Sequence, residues 1–348
     1  MQKLNLTLYG DYFVGDKYCE FELKKIYNYL KNNKLNVINY EGSFGTPISK
    51  SMPLIMSDQS LKLPKNVILA LSNNHVFDGG YAGFNILKEN LEKKKISYFG
   101  IESKKYNCGN FTIINKFGKN ICFAGFGWKN EECLLSQTMY PGIKNLTKKN
   151  LEIFFSSLST KTFDYLIVYF HCGYEFEKFP LPLHVYLSRT AIDLGADLVY
   201  SSHTHCIQPY EKYKNKYIFY GLGNFFFSNN RNFYPMLSDK GLIVHIEEKD
   251  NKLLPYNLEK ITFFRNKKGF KISNYNNFFK VMNLNYKNIK AYEKNYKRIR
   301  TRKKNPRPIM YSKNLIMNEI KYFSWLLIVK ITGYLKIRKL IKSILGWN

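Results

Sequence analysis

Paired cysteines are missing from this sequence. Cys19, Cys108, Cys122, Cys133, Cys172 and Cys206 form neither a C-x-x-C pair nor a compact framework. That spacing excludes a zinc ribbon and a disulfide scaffold and points to a reducing compartment. Cys172 and Cys206 each follow a histidine, and because neighbouring strand residues point to opposite faces, both read as packing residues. Long apolar runs are missing too. The longest uncharged apolar stretch, residues 322–329, lies between Lys321 and Lys330, far short of the roughly 20 residues that a membrane-spanning helix needs. Residues 1–8 lack the apolar core and small-residue cleavage site of a secretory signal, so they are expected to form the first strand. No internal repeat is present.

Acidic residues are the third deficit. There are 26 Asp and Glu against 54 Lys and Arg in 348 residues, a formal net charge of +28. The excess is uneven, because residues 266–348 hold 21 Lys and Arg against two Asp and Glu. A basic segment implies an acidic partner: an anionic membrane surface, nucleic acid or a polyanionic polymer. The aromatics of this segment form no recognisable nucleic-acid motif, and charge alone is nonspecific, so no specific nucleic-acid contact is expected. The length accommodates one large core and an appendage. The expected division is a folded domain over residues 1–265, then a basic linker with Pro306 and Pro308 leading to an amphipathic helical segment at 313–345.

Within the first domain short β-rich runs alternate with helical patterns at residues 20–32, 83–94 and 181–194, the last ended by Gly195. This alternation argues for an α/β sandwich. Beyond residue 205 the pattern changes to strands at 210–213, 217–220, 241–247 and 253–264, which should pair antiparallel and close the sheet.

Five hydrophobic runs, 4–10, 36–39, 67–71, 165–170 and 198–200, lead into residues that can bind a metal. They are Asp11; Glu41; Asn74 with His75; His171; and His203 with His205. In open α/β sheets ligands collect beyond the carboxyl ends of the strands, so these ends should converge. Carboxylate, amide and imidazole donors suit hard and borderline divalent ions, and the inventory suits two ions better than one, since a carboxylate can bridge a pair. In an extended segment His203 and His205 would face the same way and both reach the ions. His75 reads as a general acid held by Asp78, while Asp78 reads equally well as the N-cap of the helix that follows.

These residues resemble the CapA-type capsule and poly-γ-glutamate synthesis proteins, a branch of the calcineurin-like metallophosphoesterases. The markers are Gly10-Asp11, Asn39-Tyr40-Glu41-Gly42, Asn73-Asn74-His75 with Asp78 and Gly80, His171-Cys172-Gly173-Tyr174-Glu175, and Ser202-His203-Thr204-His205. The most specific is Gln208-Pro209-Tyr210-Glu211-Lys212-Tyr213 followed by Tyr220-Gly221-Leu222-Gly223-Asn224-Phe225. The resemblance covers residues 4–260. It implies an α/β fold, a four-layer αββα metallophosphoesterase-like sandwich, here with a basic C-terminal helical extension. It implies a dinuclear site of divalent ions (Mn, Fe, Zn or Mg) in which Asp11 and His205 hold one ion, Asn74, His171 and His203 the other, and Glu41 bridges. His75 takes the place of the general acid, and Glu175 and Asn224 face the substrate or support the ligands. Two positions differ from the classical pattern: no His lies two residues after Asp11, and Ser202 and Thr204 replace the Gly and Pro of the usual Gly-His-Pro-His loop.

The leading expectation is therefore a metal-dependent hydrolase acting on an anionic polymer of the capsule or poly-γ-glutamate kind. It would be cytoplasmic and peripheral at the inner membrane face. Two other readings stand beside it: a phosphoesterase of small phosphorylated metabolites, and a non-catalytic metal-binding scaffold of a membrane-associated synthesis complex. Metal-dependent turnover separates the enzymes from the scaffold.

In the C-terminal segment Tyr334, Ile337, Ile341 and Ile344 recur at spacings of three and four, with Lys336, Lys339 and Lys342 between them. Such a helix either lies in a membrane interface or docks on the protein's own core. Basic side chains near an acidic leaflet contribute about 1 kcal/mol each. The triple change Lys336→Glu, Lys339→Glu and Lys342→Glu should thus abolish sedimentation of the protein with anionic vesicles, and salt should weaken binding of the parent. Equal partitioning of parent and variant would assign the helix to the core.

Overall fold

The computed structural model describes residues 3–299, apart from Lys17, Asn33 and the segments 49–52, 104–107, 138–139, 159–161, 229–235, 265–268, 277–283 and 285–287. The chain divides into two units, Met1–Thr301 and Arg302–Asn348. The second unit, with the expected amphipathic segment, lies outside the described residues.

The chain opens with β1 (Asn5–Phe13), α1 (Glu20–Leu30), β2 (Leu35–Tyr40), β3 (Val67–Ala70), α2 (Gly80–Lys94) and β4 (Ser97–Phe99). There follow β5 (Phe111–Lys116), β6 (Lys119–Gly127), α3 (Lys148–Ser157), β7 (Tyr165–His171), α4 (Pro182–Leu194) and β8 (Leu198–Ser202). Strands β9 (Tyr210–Tyr213), β10 (Lys216–Phe219), β11 (Asn224–Phe227), β12 (Lys240–Lys249), β13 (Lys252–Phe263) and β14 (Phe270–Asn274) lead to α5 (Ile289–Ile299). One sheet has the order β14-β13-β12-β1-β2-β3-β4, with β11 pairing alongside the end of β1. Its β1-to-β4 half is parallel, and β12, β13 and β14 extend it antiparallel. The other sheet has the order β5-β6-β7-β8-β10-β9 and is parallel from β6 to β10.

Strand periodicity assigns the layers. In β7, Tyr165, Ile167 and Tyr169 face the other sheet, while Leu166, Val168 and Phe170 face helices, because successive side chains alternate between faces. In β1, Leu6 and Leu8 meet Phe123, Ile167 and Leu198 of the second sheet in one core, while Tyr9 joins Ile26 and Leu30 of α1 and Phe84 and Leu87 of α2 in another. A third core packs Phe154 of α3, Val185 and Ile192 of α4 and Tyr292 of α5 on the far face of the second sheet. The result is helix, sheet, sheet, helix, the expected four-layer sandwich. Parallel strands covered on both faces read as continuous apolar runs, which is why the strand-end pattern was visible.

Helix boundaries follow local chemistry. Helix α4 begins at Pro182 and stops at Gly195, whose φ of 123° suits glycine. Helix α2 starts at Gly80, three residues before the expected start at 83. Strands β9 and β10 join through Lys214 and Asn215, both at positive φ, a two-residue hairpin in which such backbones match strand twist. This hairpin extends the second sheet, whereas β12 and β13 extend the first. Among the described residues no helix is long and apolar enough to cross a membrane.

Gly10 marks where β1 crosses the loop before β11: a Cβ there would stand 1.8 Å from the Gly223 carbonyl oxygen. That oxygen accepts the Asp11 N–H at 2.9 Å. Gly10→Ala should therefore cost about 3 kcal/mol or more by denaturant unfolding, from backbone overlap. Gly118→Ala, at φ 72° with nothing within 4 Å, should cost only about 1 kcal/mol, from backbone strain.

Candidate metal centre

Strand ends of both sheets deliver the donors. Asp11 lies within β1, Glu41 directly follows β2, His171 ends β7, and His203 directly follows β8. Asn39 and Glu41 are two apart along an extended backbone and share a face. The Asn39 side-chain amide donates to Asp11 Oδ1 at 2.8 Å and to Glu41 Oε2 at 3.3 Å. Asn73 in turn donates to Asn39 Oδ1 at 3.1 Å and to the Tyr40 carbonyl at 2.8 Å.

Two donor triads result: Asp11, Glu41 and His205, and Glu41, His171 and His203. Within each triad the ligand atoms lie within 4.8 Å of one another, and Glu41 belongs to both. His171 Nε2 lies 2.8 Å from Asn74 Oδ1 and 3.9 Å from Glu41 Oε1. His205 Nδ1 lies 3.3 Å from Asp11 Oδ2, and its Nε2 lies 3.8 Å from Glu41 Oε1. All six residues expected to bind metal thus meet at one place. They do so without the extended geometry expected of the His203-Thr204-His205 segment. Strand β8 ends at Ser202, and His203 and His205 both have positive φ, 98° and 52°. A tight loop, rather than strand alternation, aims the two imidazoles.

The donor atoms fit a divalent cation. Asp11, Glu41 and His171 have no solvent exposure and His203 has 1%, yet Glu41 Oε1 and both ring nitrogens of His203 lack a hydrogen-bond partner. Buried polar atoms are normally satisfied, and orphans clustered among carboxylates and imidazoles are what a cation would complete. The electrostatics agree. Burial and the neighbouring Asp11 charge push the Glu41 carboxyl well above the ordinary range. Burial opposes the charging of His205, but Glu41 and Asp11 outweigh it and hold the imidazole up at about 10. Burial likewise opposes ionisation of Asp11, and the His205 partner overcomes it and keeps the carboxyl low. The cluster demands positive charge.

A surrounding set of hydrogen bonds aims the ligands. Tyr169 Oη lies 2.8 Å from His171 Nδ1 and 2.5 Å from Ser202 Oγ, which leaves His171 Nε2 directed at the centre. Asn224 Oδ1 lies 2.9 Å from His205 Nδ1, and the Asn224 amide donates to the Ser238 carbonyl at 3.0 Å. Asn224 therefore sits against a ligand, paired in register with Asp11. Glu175 is partly buried and close enough for its charge to raise the pKa of both Glu41 and His205. His75 Nδ1 lies 2.6 Å from Asp78 Oδ2, which also accepts the Leu54 N–H at 2.8 Å. The N-cap of α2 is Gly79, with no side-chain cap bond, so Asp78 holds His75 and does not cap the helix.

The sequence pattern passed over several contributors. Glu131, on the 3₁₀ turn after β6, brings Oε2 to 3.2 Å from His203 Nε2, though without hydrogen-bond geometry. No local pattern marks it, because it stands on a three-residue turn outside the strand-end runs. Asn39 stands in the sequence as part of a family marker without a role, and Tyr169 only as a strand residue. Glu211 and Gln208, within the most specific motif, support the site from outside. Glu211 pairs with Arg189 of α4 and accepts from Tyr220 at 2.6 Å, while Gln208 donates to the Glu177 carbonyl at 2.7 Å. His184 is buried against Trp128, and burial followed by the His203 charge lowers it to about 3, so it stays neutral. The six cysteines are free, and burial pushes the Cys206 thiol up to about 12, consistent with packing.

The fold and this donor set define a two-sheet α/β sandwich with a buried centre suited to divalent metal. A model of the family described as bacterial capsule synthesis protein PGA_cap matches residues 8–229, and the chain belongs to that family. It is similar to the capsule biosynthesis protein CapA of Bacillus anthracis, 23% identical over 290 residues that span 74% of this chain and 68% of the relative. It is also similar to the PGA biosynthesis protein CapA of Bacillus subtilis, 27% identical over 243 residues that span 67% of this chain and 58% of that one. Among solved structures, the NAD nucleotidase of Haemophilus influenzae is similar with a TM-score of 0.43 and 12% identity, covering 92% of this chain and 60% of that chain.

Adding Mn²⁺ or Zn²⁺ to metal-free protein should raise its melting temperature, because a ligand of the folded state stabilises by mass action. Glu41→Gln, which removes the shared carboxylate, should abolish the rise. Tyr169→Phe, which removes the partner of His171 Nδ1, should weaken metal affinity about 10- to 100-fold in a competition assay with a chelator.

Proposed function

We propose that the protein is a metal-dependent hydrolase of anionic-polymer biosynthesis, of the capsule or poly-γ-glutamate kind, working through a dinuclear centre that Glu41 would share between its two ions. The observation that carries this reading is the membership of Glu41 in both donor triads. In this arrangement Asp11 and His205 would hold one ion, and Asn74, His171 and His203 would hold the other. Oxygen and nitrogen donors of this kind accommodate Mn, Fe, Zn or Mg.

When bound, the divalent ions supply Lewis-acid polarisation of a phosphoryl or carbonyl oxygen. The chain's own residues do the rest. Asn39 holds the Asp11 and Glu41 carboxylates in fixed orientation, and Tyr169 and Asn224 orient His171 and His205. Asp78 anchors His75 through Nδ1 and fixes the ring, from which a proton would pass to the departing oxygen or nitrogen. Glu175 and Asn224 lie on the substrate side, with Asn224 acting there through His205. The basic C-terminal segment holds the enzyme peripherally at the cytoplasmic face of the membrane, near an anionic product.

Purified protein of measured metal content, offered a panel of phosphoesters and γ-glutamyl peptides, tests the reading. One of the two classes should turn over in a metal-dependent way. His75→Ala should lower that turnover about 10²-fold or more with metal content unchanged, the usual scale for general acid–base catalysis. Absence of turnover across both classes in metal-loaded protein would favour the non-catalytic scaffold, and loss of metal in His75→Ala would make His75 a ligand.

A further inference from the structure

A cavity lies on the outer face of the first sheet, away from the metal centre, formed by α1, the segment between Gln59 and Lys65, and the end of α2. Its volume is about 610 Å³, and none of its lining residues belongs to the candidate metal centre. That size falls within the usual range for small-molecule sites, roughly 300–1,000 Å³.

The cavity wall is of two kinds. The interior is apolar: Leu61 and Ile96 are buried in the outer core, and Leu23, Leu63 and Tyr18 are partly buried and pack against it. The rim is cationic. Lys24, Lys62, Lys65 and Lys94 all line the opening and are exposed, and Glu20 is the one acidic residue of the lining. Among the described residues none of the four lysines forms an ion pair, although Lys88 on the same helix α2 pairs with Glu92. Four like charges around an apolar hollow repel one another and gain from an anion placed between them.

We infer that this cavity binds an anionic amphiphile, a single hydrocarbon chain or ring system carrying a terminal phosphate or carboxylate. The apolar part would occupy the space against Leu23, Leu61, Leu63 and Ile96. The head group would lie among the four lysines, with the Tyr27 side chain lining the same wall. The combination explains why neither half suffices: the hollow offers an inorganic anion no enclosing polar cage, and the lysine rim offers a neutral chain no advantage over a micelle.

The inference is independent of the proposed hydrolase activity and is tested by binding alone. Full-length protein is titrated calorimetrically with dodecyl phosphate and, separately, laurate, each below its critical micelle concentration. Dodecyl maltoside and inorganic phosphate are the comparison probes. Saturable binding of one equivalent of an anionic amphiphile is expected, with the neutral amphiphile and inorganic phosphate much weaker. The rim variant Lys62→Glu with Lys65→Glu should weaken it about tenfold or more through charge repulsion, and Leu63→Trp should abolish it by filling the hollow. The C-terminal charges are unchanged in both variants, so the difference from the parent reports on the cavity. The rim residues are exposed, so the rim variant should keep the parent's circular dichroism and melting temperature. Unchanged affinity in the rim variant would overturn the inference. Equal binding of dodecyl maltoside, or of inorganic phosphate, would overturn it as well. The relative affinity of phosphate and carboxylate head groups identifies which anion the rim prefers.

Discussion

Two carboxylates, Asp11 and Glu41, are buried without solvent exposure at the carboxyl ends of adjacent parallel strands, and much of the surrounding structure compensates that charge. A buried carboxylate without compensation either takes up a proton or destabilises the fold. The chain answers with one bridging amide, Asn39, and a ring of imidazoles brought from the second sheet by β7 and the loop after β8. Even so, Glu41 is driven toward its neutral form and His205 toward its charged form. Both shifts have the sign expected of a site completed by a cation.

The architecture makes this concentration of charge affordable by placing it where two sheets open toward one end. Between the sheets the contacts are almost wholly apolar, and the outer helices seal the opposite faces. The polar residues gather at strand termini, where backbone groups no longer pair along a ladder and loops can turn side chains inward. Gly10 and Gly223 allow β1 and the β11 approach to touch, which puts Asn224 beside Asp11 in register. The Arg189–Glu211 pair fastens α4 to the β9–β10 hairpin. Gln208 ties the segment after His205 to the Glu177 carbonyl. The long motif after His205 is thus framework, and it keeps the histidine loop in place from behind.

Periodicity explains which parts of this were legible. The central strands β1, β2, β3, β7 and β8 are buried on both faces, and a donor lies within each or within a few residues of its end, so strand and ligand could be read together. One marginal strand of the second sheet could not. Residues Phe111–Lys116 alternate weakly and are mostly half-exposed, which hides β5. The assignment of Asp78 also needed coordinates: an acid just before Gly79-Gly80 has the local signature of a helix cap, and only the approach of the His75 ring and the Leu54 N–H decides otherwise.

The sequence by itself determined the α/β class and marked, in order along the chain, the six residues that meet at the centre. Those features rest on local patterns: apolar runs of strand length, and residue types whose chemistry suits divalent ions. Only the tertiary structure decided that a positive-φ loop and not an extended strand aims His203 and His205, and that Asn39, Tyr169 and Glu131 lie against the centre. The lysine-rimmed cavity was likewise invisible beforehand, because its lysines come from three separate segments of a lysine-rich chain. Proximity between residues distant in sequence is set by how sheets and helices stack, and no local pattern records it.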